Sequence, residues 1–410
     1  MELKINYQYS YFIHPFVIKE SKYQKYLLKI LKDKRFELKV FQKSKDLNLY
    51  NYFLPKISEF LFSSFSQSKM KLDKLMELPK DTKSAVLSKY PCTIFEYNLE
   101  SDIQGKAEDK GIFFKIQKIE LICFNTGICF LAMKTNIEET KEFADLLNFN
   151  YKFRDINSET NTLNGYDKIY LQTSTFSDVS KLTEFIKDIT GTSIETIKLD
   201  IDTQRFLTYS YVCIDQNAWN QDNKFENIQY NFNKYANFLP ADNSADIKED
   251  DIISFSKWKY ANIGITKQGM VLFASNADIN NFTVLPDKFE MEYFYTYILN
   301  LYKKLYLKKL EKEFCQSQNL KKTRKKFIDF TKNLWIQEIT EDEVGSNINY
   351  RLGKIFELDR LYYEIKTKYD ILYKDLNIEK NTKSTIFIVF ILAVLLIVNI
   401  LNYMKMFKWY

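Results

Sequence analysis

Residues 385–404 form an apolar run of about twenty residues. At ~1.5 Å of helical rise per residue, such a run crosses a hydrocarbon core of ~30 Å. Its centre, Ile386 to Val398, carries no polar side chain. The run therefore reads as one transmembrane helix rather than a buried soluble one. Tyr403, Trp409 and Tyr410 sit where an aromatic belt anchors the far interface, and Lys405 and Lys408 can snorkel there. Asn399 and, three residues on, Asn402 are the polar residues at its end. In lipid an amide favours a partner on a neighbouring helix, and at an interface it is simply hydrated; both readings stay open. The run holds no GxxxG and no Asp, Glu, Lys or Arg, so nothing in it suggests a charge relay.

The rest of the chain is of another kind. It belongs to a protein of 410 residues with net charge +6, too weak a surplus to argue for nucleic acid. The 34 Phe and 29 Tyr, beside abundant Lys, Asn and Ile, match the bias of an AT-rich bacterial genome. Core filling is their ordinary use. Cys92, Cys123, Cys129, Cys213 and Cys315 are scattered, with no CxxC pair, which argues against a disulfide framework and for a reducing cytosol. The opening "MELKINYQYSYFIHPF" lacks the charged-then-apolar pattern of a signal peptide.

Histidine usage narrows the chemistry further. His14 is the single histidine, so any His-dependent hydrolase or His-ligated metal site would have to use it. Between aromatics and before Pro15 it reads as a structural residue at a strand end. Nine glycines supply neither GxGxxG nor GxxxxGK[ST]. No catalytic residue, metal ligand or cofactor is assigned, and an enzyme is not expected.

The expected fold class is an α+β cytosolic domain, then long α-helices forming a coiled-coil-like stalk, then one C-terminal transmembrane helix. Residues 1–285 form the α/β domain, divisible into two subdomains at a joint in the polar 155–167 or the Asn-rich 216–250, both read as loops. "RFELKVF", "KIYLQTS" and "FLTYSYVCID" are strand candidates. "KYQKYLLKILK" is a helix with Tyr26, Leu27, Ile30 and Leu31 on one face, and "VSKLTEFIKDI" is another. Segments 118–136 and 260–278 resemble each other when Gly127 is set against Gly269. Each reads as a hairpin whose glycine supplies positive φ, either by duplication or because apolar hairpins look alike.

From Pro286 the pattern becomes helical, and 286–380 is the expected stalk. Phe294, Ile298, Leu301 and Leu305 recur at 4-3-4 spacing; a second helix follows at roughly 320–338, and "TEDEVGSN" (340–347) reads as the break after it. Leu358, Tyr362, Ile365, Tyr369, Leu372 and Leu376 then form a heptad seam, with Ile355 and Leu352 extending it upstream. The seam pairs either with earlier helices of this chain or with copies of itself in a homo-oligomer. With no Pro or Gly after Lys354, one rod can run into the bilayer.

A basic run contains Lys303, Lys304, Lys308, Lys309, Lys312, Lys321, Lys322, Arg324, Lys325 and Lys326. It is either a solvated helix face or a site for a phosphate-bearing small ligand or anionic headgroups. Nucleic acid is not expected, because no recognition motif accompanies it.

This order of parts is similar to that of the CorA-type metal-ion transporters, whose cytosolic α/β domain leads through long helices into a pore-lining span of a pentamer. The resemblance covers most of the chain but is architectural. The family's Gly-Met-Asn signature is absent, "VNILNYMKMF" standing in its place, and so is the second span. It implies a CorA-like, membrane-tethered sensor or effector without the residues that select magnesium. Membrane effectors of antiviral systems have this general layout. The expected protein is a homo-oligomer in the inner membrane of a bacterium, single-pass, with its N-terminal domain cytoplasmic and 405–410 a short external tail. The lipid bilayer is its first partner. The alternative is a C-terminally anchored scaffold without pore activity.

Overall fold

The structure is a computed structural model and describes residues 2–62, 72–99, 103–107, 112–138, 141–154, 169–172, 180–190, 205–243, 252–316, 320–336 and 338–407. Its centre is one mixed sheet. The strands are β1 (Ile5–Val17), β2 (Phe36–Lys39), β3 (Cys92–Tyr97), β4 (Ile103–Ala107), β5 (Ile112–Phe124), β6 (Ile128–Ile137), β7 (Ile169–Gln172), β8 (Ser180–Lys181), β9 (Leu207–Ile214), β10 (Ile253–Phe255), β11 (Ala261–Thr266) and β12 (Gly269–Ser275). They lie in the order β10-β11-β12-β9-β1-β6-β5-β4-β7-β8, with β3 also paired to β5 and β2 to β3. Every pairing is antiparallel except β12 with β9. The three strand candidates all fall on strands of this sheet.

Helices cover both faces. On one lie α1 (Tyr23–Lys32), α4 (Leu72–Glu77), α5 (Lys80–Leu87), α6 (Phe143–Phe153), α7 (Leu182–Thr190) and α8 (Gln229–Ala236), packed against Phe12, Leu121, Cys123, Leu131 and Val212. On the other lie α2 (Leu47–Tyr52), α3 (Pro55–Phe62), α10 (Leu285–Lys288), α11 (Phe294–Gln316), α12 (Leu320–Asn333), α13 (Glu343–Ile355) and the first part of α14 (Leu358–Phe407), against Tyr9, Tyr11, Ile122, Phe130, Tyr209 and Tyr211. The short α9 (Asn280–Thr283) leads into α10. The two side-chain sets alternate along β1, as a strand buried on both faces requires.

Several expectations change here. A single sheet runs on both sides of 155–167 and 216–250, so neither segment separates two sheets; the first lies outside the described residues. Within the second, Gln229–Ala236 is helical, because Phe232, Tyr235 and Ala236 have a sheet face to cover. Residues 286–380 are not a free stalk, since α11 lies across the sheet with Phe294, Ile298, Leu301 and Leu305 all buried. "TEDEVGSN" starts a helix instead of ending one. Asp342 caps α13, accepting a bond from the Gly345 N–H at 2.7 Å. The upstream extension of the seam fails as well: Leu352 and Ile355 belong to α13, and the chain breaks before α14 at Glu357, whose φ is 54°.

The two hairpins also part company. β6 runs antiparallel to β1, whereas β12 runs parallel to β9, so they do not repeat one topology. Gly127 does have the expected positive φ, 85°. Gly269 does not; a Cβ there would collide with the Thr208 carbonyl oxygen and the Phe238 ring. Close approach of β9, not turn geometry, demands that glycine.

Candidate functional site

Tyrosines fix the helical layer to the sheet. Tyr9 donates to the Pro286 carbonyl at 2.7 Å, Tyr209 to the Phe289 carbonyl at 2.5 Å, and Tyr211 to that of Asn281. Tyr11 donates at 2.9 Å to Glu290, which also pairs with Lys134 at 2.6 Å. These bonds bracket a single π-helical turn, Phe289–Tyr293, at the entrance to α11. Such turns recur at functional sites and leave no trace in the hydrophobic period.

α14 carries the dominant feature. It is one helix of 50 residues, about 75 Å at helical rise. Within it, Thr382–Tyr403 is 22 residues long and apolar enough to cross a membrane, with none of it buried. Asn399 and Asn402 lie exposed in this segment.

The heptad seam has its partner within the chain. Leu358, Tyr362 and Ile365 are buried, and Tyr369 and Leu372 pack on the edge of the same core. Tyr362 stacks on Trp335 and donates to the Thr331 hydroxyl at 3.3 Å. As an oligomer seam this set is corrected: its first five residues face α11, α12 and the segment after α12, and the side chain of Leu376 lies outside the described residues.

The basic run does not form one surface. Lys303 is 4% exposed, its Nζ 3.4 Å from the Ile336 carbonyl oxygen, and burial holds its pKa down to about 8. Lys304 lies over the Phe356 ring, and burial, with Lys308 and Lys267 nearby, lowers it likewise to about 8. Lys309 and Lys326 converge on Glu20 at 3.0 and 2.7 Å. Burial pushes that carboxyl up, but the two lysines hold it below the usual range. Lys326 also binds Glu313 at 2.8 Å, and Arg324 donates to Tyr369 at 3.2 Å. Lys308 and Lys312 are half-buried on α11, whereas Lys321, Lys322 and Lys325 are exposed on α12. A single phosphate site on all of these is therefore corrected: helical periodicity sends them to different sides, several into the protein.

The sequence reading missed two charged places. Glu120 is 1% exposed on β5 and binds Lys39 and, at 3.1 Å, Lys118; burial raises its pKa, but these lysines bring it below the ordinary value. A cleft of about 620 Å³ opens between α2, α10 and the π-helical turn. Asp46, Asp287, Lys288, Glu292, Asp342 and Tyr52 line it. Burial, with Asp342 nearby, raises the Glu292 carboxyl, and Lys288 at 3.7 Å opposes the shift only in part. Its size suits a small polar ligand. Only the Asp342 cap left a sequence signal, an acidic residue just before a helix.

No protein-family model, curated protein or solved structure matches this chain.

His14 lies on β1 against Phe16 and Phe206, and burial lowers its pKa to about 4. Its Nδ1 is sealed from solvent and makes no hydrogen bond among the described residues. Among those residues no three His, Cys, Asp or Glu side chains converge to hold a metal ion.

Proposed function

We propose that the chain is a single-span membrane effector whose α/β domain, held in the cytosol, acts on the bilayer through α14. One observation carries this reading. The same unbroken helix that buries Leu358, Tyr362 and Ile365 in the domain core presents the exposed apolar segment Thr382–Tyr403. No joint separates the two, so a shift of α14 against α11 and α12 is transmitted as tilt or rotation of the span. The cleft beside the π-helical turn is where a small polar trigger would bind. Its wall includes Asp342, the cap of α13, which leads directly to α14. Self-association in this reading runs through the membrane helix, with Asn399 and Asn402 as candidate contacts, because the heptad seam is occupied within the chain.

Reconstituted full-length protein should release ions or dye from vesicles when triggered, and replacement of Thr382–Tyr403 by a poly-Leu helix should abolish release while preserving membrane attachment. Vesicles that stay intact under every candidate ligand overturn the effector reading. A monomer in detergent excludes a pore. The intramolecular seam favours a second reading, an anchored scaffold that holds its domain at the membrane and survives the poly-Leu exchange unchanged.

A further inference from the structure

The last turn of α11 and the first turn of α12 lie at the end of the domain from which α14 departs. Lys368 of α14 binds Glu311, near the end of α11, at 2.7 Å and lies 3.9 Å from the Cys315 thiol. Arg324, near the start of α12, reaches Tyr369. Leu320 and Leu372 both pack at the margin of the same core. In the other direction Tyr362 meets Thr331 and Trp335, so α14 runs antiparallel to α12, toward the start of α12. Beyond Leu372 it continues as helix to Thr382, where the apolar segment begins.

Lys321, Lys322 and Lys325 are exposed in the first two turns of α12. Lys321 and Lys325 form no ion pair among the described residues, and Lys322, with 68% of its side chain exposed, lies 3.9 Å from Glu20. Glu311 is engaged by Lys368, Glu313 by Lys326, and Glu20 chiefly by Lys309 and Lys326. Among the described residues Lys321 and Lys325 thus present positive charge to solvent at this end of the domain, beside the exposed Lys322.

We propose that Lys321, Lys322 and Lys325 dock on anionic phospholipid headgroups of the leaflet that α14 enters, setting the height and tilt of the domain against the bilayer. The proposal rests on the reading of Thr382–Tyr403 as a membrane span. The distances permit it. Ten residues of helix from Leu372 to Thr382 rise about 15 Å. The headgroup layer, about 5–7 Å deep on each side, covers part of this. The remaining gap, near 8–10 Å, is about one Debye length at physiological salt, so the attraction is felt before contact and a small tilt completes it. Each lysine near an anionic surface shifts the docked-to-undocked ratio on the order of fivefold, and three together on the order of a hundredfold.

Cys315 provides the probe, because it is exposed while the other four cysteines are buried. A donor dye on Cys315 of the full chain is read against an acceptor-labelled headgroup. The vesicles are phosphatidylcholine alone or phosphatidylcholine with phosphatidylserine. Stronger energy transfer is expected in the anionic vesicles, falling to the zwitterionic level in high salt and in the K321Q/K322Q/K325Q variant, and retained in K321R/K322R/K325R. Equal transfer in both lipids, or full transfer in the glutamine variant, overturns the docking. Flotation after an alkaline wash reports the span separately. The glutamine variant should float like the wild type, and a wild type that fails to float overturns both the span and the docking built on it.

Discussion

Trp335 and Tyr362 stack face to face, their ring centroids 4.0 Å apart and their planes within 5° of parallel. The pair clamps α14 to the segment that follows α12, at the point where the long helix is still part of the domain. Tyr362→Ala should destabilise the domain by on the order of 3 kcal/mol. A double-mutant cycle with Trp335→Ala should show a coupling of about 0.5–1.5 kcal/mol beyond lost area. Denaturant unfolding of the detergent-solubilised protein measures both. Zero coupling would mean that the stack does not hold α14.

Lys303 is charged at neutral pH in a place that disfavours charge. Its folded pKa of about 8 lies below the ordinary 10.5, so the folded state loses its proton first as pH rises. The destabilisation is full below pH 8 and disappears as pH approaches 10.5. Lys303→Met should therefore raise stability by about 2–3 kcal/mol at pH 7 and by little near pH 10.5. Melting temperatures of the two proteins across that range decide the matter, and a variant less stable than wild type at pH 7 refutes it.

His14 gives a pH dependence in the acid range. With the folded pKa lowered to about 4 from 6.5, the unfolded chain binds the proton first. Stability from this residue is complete above pH 6.5 and falls as pH drops toward 4, by up to about 3 kcal/mol. His14→Phe should flatten that part of the profile. Parallel profiles for wild type and variant between pH 7 and 4 would exclude the effect.

Two glycines should respond oppositely to alanine. At Gly269 the new methyl meets the Thr208 carbonyl oxygen and the Phe238 ring, so backbone must move. A loss of about 2 kcal/mol or more is expected. At Gly353, inside α13, nothing lies within 4 Å, and alanine should stabilise by about 0.5–1 kcal/mol. Thermal melts of the two variants suffice, and loss at both positions would contradict the assignment.

Removal of residues 382–410 should leave a folded, water-soluble protein. Thr382–Tyr403 is not buried at all, and no residue of it belongs to the core. The shortened chain is expected in the soluble fraction with a melting temperature close to that of the full chain. Aggregation or unfolding would show that the segment contributes to the domain.

What was legible in the sequence followed from local pattern. "FLTYSYVCID" alternates and became β9, and the 4-3-4 spacing of Phe294, Ile298, Leu301 and Leu305 became the buried side of α11. Thr382–Tyr403 needed no context, because a helix long and apolar enough to cross a membrane is recognised by length and composition alone. Other features had no local signal. The break before α14 falls at Phe356–Glu357, with neither Gly nor Pro, and Gln229–Ala236 is helical within an Asn-rich stretch.

The division has a physical cause. Sequence by itself determined which residues are apolar along each helix and strand, and that one terminal helix suits lipid. The tertiary structure decided what covers each apolar face: the core that includes α11 and α12 takes the seam from Leu358 to Leu372. It also decided that Lys303 and Lys309 are buried while Lys321 and Lys325 meet solvent. Periodicity fixes the direction of a side chain from its own helix axis. Desolvation and pairing depend on the surface that arrives from elsewhere in the chain, and no local pattern encodes that arrival.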